Sequence, residues 1–127
     1  MDWLALVAVA ALVQYFYFGI LVGRARTRAG VAAPACTGDP VFERTFRVQQ
    51  NTLEQIVIFL PALYLFGRYA SPGIGALVGV AFIVGRALYA AGYIRDPSER
   101  GTGFLITVVA QAVLVLGAAF GALAAIL

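Results

Sequence analysis

Glu43, Arg47, Gln50, Asn51 and Glu54 recur at helical spacings through FERTFRVQQNTLEQIVIFLPALYLFG, residues 42–67. On one helix these polar groups share an arc of about 100°. Arg86, Tyr89 and Tyr93, in the apolar run VAFIVGRALYAAGYI, share a second arc of about 60°. The chemistry open to such groups is recognition of a small charged molecule. Guanidinium forks grip carboxylates, Glu54 can pair with an ammonium group, and Asn51, Gln50 and the tyrosines add neutral hydrogen bonds. A zwitterion with excess negative charge suits that inventory, and a lipid head group would suit it as well. The chain has no histidine and a single cysteine, Cys36. Common zinc sites, Ser/His and Cys/His nucleophiles and an internal disulfide are therefore excluded. Cys36 reads as a bland loop thiol, and no metal is expected.

These groups are foreign to the chain around them. Apolar residues make up 62% and charged residues 12%, with a mean hydropathy of +0.92, against roughly 45 to 50% and about 25% in soluble domains. The expectation is an all-α membrane protein, one four-helix transmembrane bundle over residues 1–127. Stretches near 3–23, 48–68, 73–93 and 103–127 approach the roughly 20 apolar residues that cross a bilayer. The first begins with Asp2 rather than a basic segment and is read as a retained helix. Pro34, Gly38 and Pro40 break the first loop before DPVFER starts the second helix, and YASPG makes a tight turn. Three small-xxx-small pairs, Gly19/Gly23, Gly75/Gly79 and Gly117/Gly121, are read as ordinary close helix packing.

All basic residues are arginine, which reflects a G+C-rich bacterial genome and carries little functional weight; the expected location is the bacterial inner membrane. Arg24, Arg26, Arg28, Arg44 and Arg47 lie in or beside the first loop and Arg95 and Arg100 in the third, whereas the second has only Arg68. The positive-inside rule places loops 1 and 3 in the cytoplasm and both termini on the opposite side. Ionisable groups within a membrane usually line a protein interior or a wet cavity, so neither polar stripe should face lipid. Arg86 lies roughly 10 Å inside Tyr93 and needs an anionic partner or a hydrated cleft. Both stripes lie at the cytoplasmic ends of their helices and can face one another beneath a ring of loop arginines. The plainer alternative is a solvated cytoplasmic extension with i,i+4 ion pairs such as Glu43 with Arg47, which accounts for Glu43 better than for Asn51 and Glu54.

TGDPVFERTFRVQQNTLEQ and GRALYAAGYIRDPSERGTGF, with VGRARTR before them, resemble the MAPEG family, the membrane-associated proteins in eicosanoid and glutathione metabolism. The likeness is to its microsomal glutathione S-transferase 2/3 and leukotriene C4 synthase-like branch, and it covers nearly the whole chain. It implies a homotrimer with glutathione, a co-substrate, in a cleft between neighbouring subunits. Arg47, Asn51 and Glu54 match the family's glutathione contacts on helix 2, and Arg26, Gln49, Arg86, Tyr89 and Tyr93 match further contacts. Arg100 matches the loop arginine that stabilises the thiolate. Gln55 stands where synthase-like members have an aromatic residue, and Thr27 replaces a second arginine, so the edge of the site differs. The activity implied is glutathione transfer to hydrophobic electrophiles, with lipid hydroperoxide reduction as a second activity and membrane lipid as the surroundings. No nucleic-acid partner is expected.

Two other functions fit parts of this pattern. A non-catalytic, lipid-presenting protein of the same fold would show no glutathione turnover, and Arg100 beside the other contacts argues against it. A small four-helix exporter using Glu54 as its proton site would need balanced loop charges in its dual-topology form, unlike this arginine bias, and no second stripe on helix 3.

Overall fold

The computed structural model describes residues 1–127 as four α-helices and one short 3₁₀ turn. The helices are α1 (Asp2–Ala29), α2 (Pro40–Tyr69), α3 (Pro72–Arg95) and α4 (Gly101–Ile126), with the 3₁₀ turn Pro97–Arg100 between the last two.

Local sequence accounts for the boundaries. α1 stops at Gly30, whose φ of 68° is the left-handed conformation favoured by glycine. The Val31 amide there returns to the Arg26 carbonyl at 3.1 Å, a Schellman closure. Asp39 caps α2 by accepting from the Phe42 amide at 2.9 Å, and Ser71 caps α3 through the Ile74 amide at 3.2 Å. Each cap is followed by proline, Pro40 or Pro72, at a position that needs no amide proton. α2 thus begins at DPVFER, as expected, and runs one continuous polar-to-apolar helix through Pro61.

The core lies where α2 and α3 cross between α1 on one side and α4 on the other. Phe59 of α2 stacks on Phe82 of α3 at 3.9 Å between centroids, with Leu63, Phe66, Ala11 and Leu114 packed around them. Close approach depends on glycine. A Cβ on Gly103 of α4 would collide with the backbone of Tyr89 and the Gly85 carbonyl, so α3 and α4 touch main chain to main chain. Five glycines of the small-xxx-small pairs likewise meet a neighbouring element: Gly19 meets Gln49, Gly75 and Gly79 meet α1 and α2, and Gly117 and Gly121 meet α2. Gly23 faces open space.

Polarity is distributed in the opposite sense to a soluble protein. Trp3, Phe16, Leu77 and Phe120 are each more than 70% exposed, while Arg86 is 0% exposed. An apolar exterior around a charged interior marks a lipid-facing surface. α1, α3 and the segment Pro97–Ile126 are long and apolar enough to cross a membrane. α2, expected as the fourth span, does not reach that hydropathy, because Arg47, Gln49, Gln50, Asn51, Glu54 and Gln55 occupy its first half.

Candidate functional site

The α2 stripe divides by depth. Asn51 is buried whereas Arg47 and Glu54 are exposed, and the latter two, two turns apart, form an ion pair with Nη1 to Oε1 at 2.8 Å. Arg47 therefore pairs down the helix rather than with Glu43. Glu43 instead accepts from the Gly38 amide at 3.3 Å and steadies the first loop.

Asn51 meets the α3 stripe. The Nη2 group of Arg86 donates to Asn51 Oδ1 at 2.6 Å and to Thr52 Oγ1 at 2.9 Å. The Arg86 guanidinium lies over the Tyr89 ring at 4.4 Å, and Tyr89 stacks on Tyr93 at 5.5 Å. Glu54 is within electrostatic range of Arg86, and Arg47 and Arg100 are within electrostatic range of Tyr89. Arg47, Asn51, Glu54, Arg86, Tyr89, Tyr93 and Arg100 thus gather at one end of the bundle. Arg100 is exposed at the start of α4. Nε and Nη1 of Arg86 are buried without a partner. Buried polar groups are nearly always satisfied, and the face of the Tyr89 ring offsets part of the charge that these two donors leave unpaired. At the outer edge of the cluster a groove of about 530 Å³ is lined by Arg47, Tyr93, Arg44, Phe46, Glu43 and Cys36.

Arg26 and Gln49 are not in this cluster. Arg26 donates to the Ala35 carbonyl at 2.8 Å and lies over the Phe42 ring at 4.7 Å. Gln49 sits against Gly19 of α1, about 200° around α2 from Arg47.

The third loop is built around the site. Gly92 admits the Glu99 carbonyl to α3, and Arg95 and Glu99 form an ion pair at 2.5 Å. Arg44 of α2 donates to the Ile94 and Arg95 carbonyls at 3.4 and 3.3 Å, tying the start of α2 to the end of α3. Asp96 accepts from the Ser98 amide at 3.0 Å, and that bond holds its carboxyl below the usual value, with the Ser98 side chain, Arg44 and Arg95 acting the same way.

Sequence reasoning missed Thr52 and Gln111. Thr52 also bonds back to the Val48 carbonyl at 2.8 Å, the ordinary habit of threonine in a helix, so nothing in its spacing announced a second acceptor for Arg86. Gln111 of α4 donates to the Gln55 carbonyl at 2.8 Å. Gln55, which departs from the aromatic of synthase-like sequences, is thus bound to α4.

A family model described as the MAPEG family matches residues 4–120. An uncharacterised protein of Synechocystis is 46% identical over 116 residues, 91% of this chain and 85% of its own length. Microsomal glutathione S-transferase 2 of Homo sapiens is 40% identical over 118 residues, covering 93% of this chain and 80% of the relative. Leukotriene C4 synthase of Bos taurus is 35% identical over 121 residues, covering 95% and 81%. A lipid-faced helical bundle matched over nearly all its length, with its polar cluster at one end, this chain belongs to the MAPEG family.

Proposed function

We propose that the protein is a membrane-bound glutathione transferase. The observation that carries the proposal is the buried Arg86, held by Asn51 and Thr52 with two donors unpaired, beside the Arg47–Glu54 pair and Tyr93. Glutathione offers a carboxylate to Arg47, an ammonium group to Glu54, and amide groups to Asn51, Tyr89 and Tyr93, while Arg86, closed to solvent, holds Asn51 and Tyr89 in place behind them. Its thiol is directed toward Arg100. A neighbouring cation lowers a thiol pKa from about 8.5 by roughly 1 to 3 pH units, which makes thiolate available near neutrality. The thiol proton goes to solvent, and the sulfur attacks the electrophilic carbon of a hydrophobic substrate as its leaving group departs. The same thiolate supports peroxidase chemistry, in which two glutathiones become the disulfide as a lipid hydroperoxide is reduced to an alcohol and water.

Arg26 and Gln49 turn to the α1–α2 side, away from the cluster. That split supports a homotrimer in which each subunit offers its cluster to one cleft, and Arg26 and Gln49 to the next. In the proposed arrangement all four helices cross the bacterial inner membrane. α2 is shielded there by its neighbours, and loops 1 and 3 are cytoplasmic. The lipid-presenting alternative shares this architecture and predicts no turnover.

The test is rapid mixing of purified protein with glutathione, following ultraviolet absorbance of the thiolate. A thiolate signal abolished by Arg100→Ala is expected. No signal and no glutathione binding in the unaltered protein would overturn the transferase assignment in favour of the scaffold.

A further inference from the structure

Arg24 and Arg28 take no part in the cluster above. They stand one turn apart on α1, both exposed. The ion pairs of the chain are Arg47–Glu54 and Arg95–Glu99, so neither arginine has an acidic partner. Both border a groove of about 510 Å³ between α1, the start of α2 and the end of α3, with Leu21, Val41 and Ile94 in its lining. Asp39 is the one acid there, and it is engaged in capping α2 through the Phe42 amide. The outer side of the arginine pair is open as well, because Gly23 has nothing within 4 Å of the position a Cβ would occupy.

The location gives the pair its partner. α1 is a membrane-capable helix, and Phe16, Tyr17 and Ile20 on its outer surface are exposed. Arg24 and Arg28 follow where that apolar surface ends, at the level of the water boundary. Cations in the last turns of a helix favour its dipole, and loop arginines orient a membrane chain. Neither effect requires a partly apolar groove bordered by two unpaired guanidinium groups. Guanidinium forks match phosphate oxygens bidentately, and basic side chains at a membrane surface attract anionic lipid.

We propose that the Arg24–Arg28 groove holds the phosphate head group of an anionic phospholipid from the surrounding bilayer, its acyl chains lying along the exposed apolar flank of α1. The absence of a free acid favours a net negative head group over a zwitterionic one, whose ammonium would find no partner. The site is separate from the proposed glutathione cluster.

Native mass spectrometry of the full chain, released from micelles holding equimolar palmitoyl-oleoyl phosphatidylglycerol and phosphatidylcholine, tests this. The unaltered protein should retain the glycerol lipid over the choline lipid by about fivefold or more. Arg24→Gln with Arg28→Gln should bring the two within about twofold, while Arg68→Gln, at the opposite end of the bundle, should change nothing. Equal retention by the unaltered protein, or a preference surviving the double substitution, overturns the proposal. Displacement of the lipid by soluble glycerol 3-phosphate at equal concentration also overturns it, since the site would then take a free phosphate ester. Calorimetric titration with glutathione separates the two assignments: affinity in the double variant should be unchanged, and its loss would place the arginine pair in the glutathione site instead.

Discussion

Asn51→Leu removes one acceptor from a guanidinium that has no exposure to solvent. The Arg86 Nη2 group has Asn51 Oδ1 at 2.6 Å and Thr52 Oγ1 at 2.9 Å, and Nε and Nη1 have no partner. A hydrogen bond to a charged group contributes about 1.5 to 3 kcal/mol net. With Thr52 still in place, Asn51→Leu should cost about 2 kcal/mol of stability, roughly a thirtyfold change in the folding equilibrium. Arg86→Met removes the charge and keeps the length, but strands the Asn51 carbonyl at a cost of about 1 to 3 kcal/mol. The double variant carries neither the buried charge nor the Asn51 carbonyl, and Thr52 Oγ1 keeps its bond to the Val48 carbonyl, so it should return to within about 1 kcal/mol of the unaltered protein, since buried ionic groups are often replaceable by apolar ones. Unfolding in mixed micelles with increasing dodecyl sulfate, followed by circular dichroism, gives the four stabilities of the cycle. Calorimetry on the same samples should show glutathione binding lost in the double variant despite its recovered stability. Additive single costs, or less than about 0.5 kcal/mol for Asn51→Leu, would refute the coupling of these two side chains. Full glutathione affinity in the double variant would refute the binding assignment.

The Arg47–Glu54 pair should behave in the opposite way. Both side chains are about half exposed, so Arg47→Ala should leave stability within about 0.5 kcal/mol but raise the glutathione Kd about tenfold or more; unaltered affinity by calorimetry would remove Arg47 from the site. Gly103→Ala drives a methyl into the Tyr89 backbone and should cost about 1 to 3 kcal/mol in the same dodecyl sulfate titration, whereas a neutral result would contradict the close α3–α4 crossing. The Asp96 carboxyl, held below its ordinary value of 3.8 by Ser98, stabilises the third loop fully above that value, and the contribution is lost as pH falls through the depressed pKa. Carbon-13 NMR should give an Asp96 midpoint below 3.8 that rises in Ser98→Pro; a midpoint at or above 3.8 would show that the Ser98 bond does not form.

Period was the legible feature of the site, and depth was not. A 3.6-residue repeat assigns Arg47, Asn51 and Glu54 to one face of α2, yet Asn51 is buried against Arg86 while its neighbours stay exposed, because depth depends on where α3 crosses. Partner choice was illegible for the same reason. Arg47 has carboxylates four residues before it and seven after it; in the fold it pairs with the later one, Glu54, while Glu43 accepts from the Gly38 amide. The helix count was clear from composition, but the same polar side chains that expose the site on α2 take that helix below the hydropathy of a lone span. That conflict resolves if α2 never meets lipid alone. Its deep residues Phe59, Leu63 and Phe66 pack in the core among α1, α3 and α4, and in the proposed trimer its Arg47–Glu54 surface faces a cleft rather than hydrocarbon. Arg26 and Gln49 bear on the same arrangement. Their motif positions match the rest of the set, yet they lie on the α1–α2 side, apart from the cluster around Arg86. In the proposed trimer these two halves of one motif would meet across the contact between neighbouring subunits.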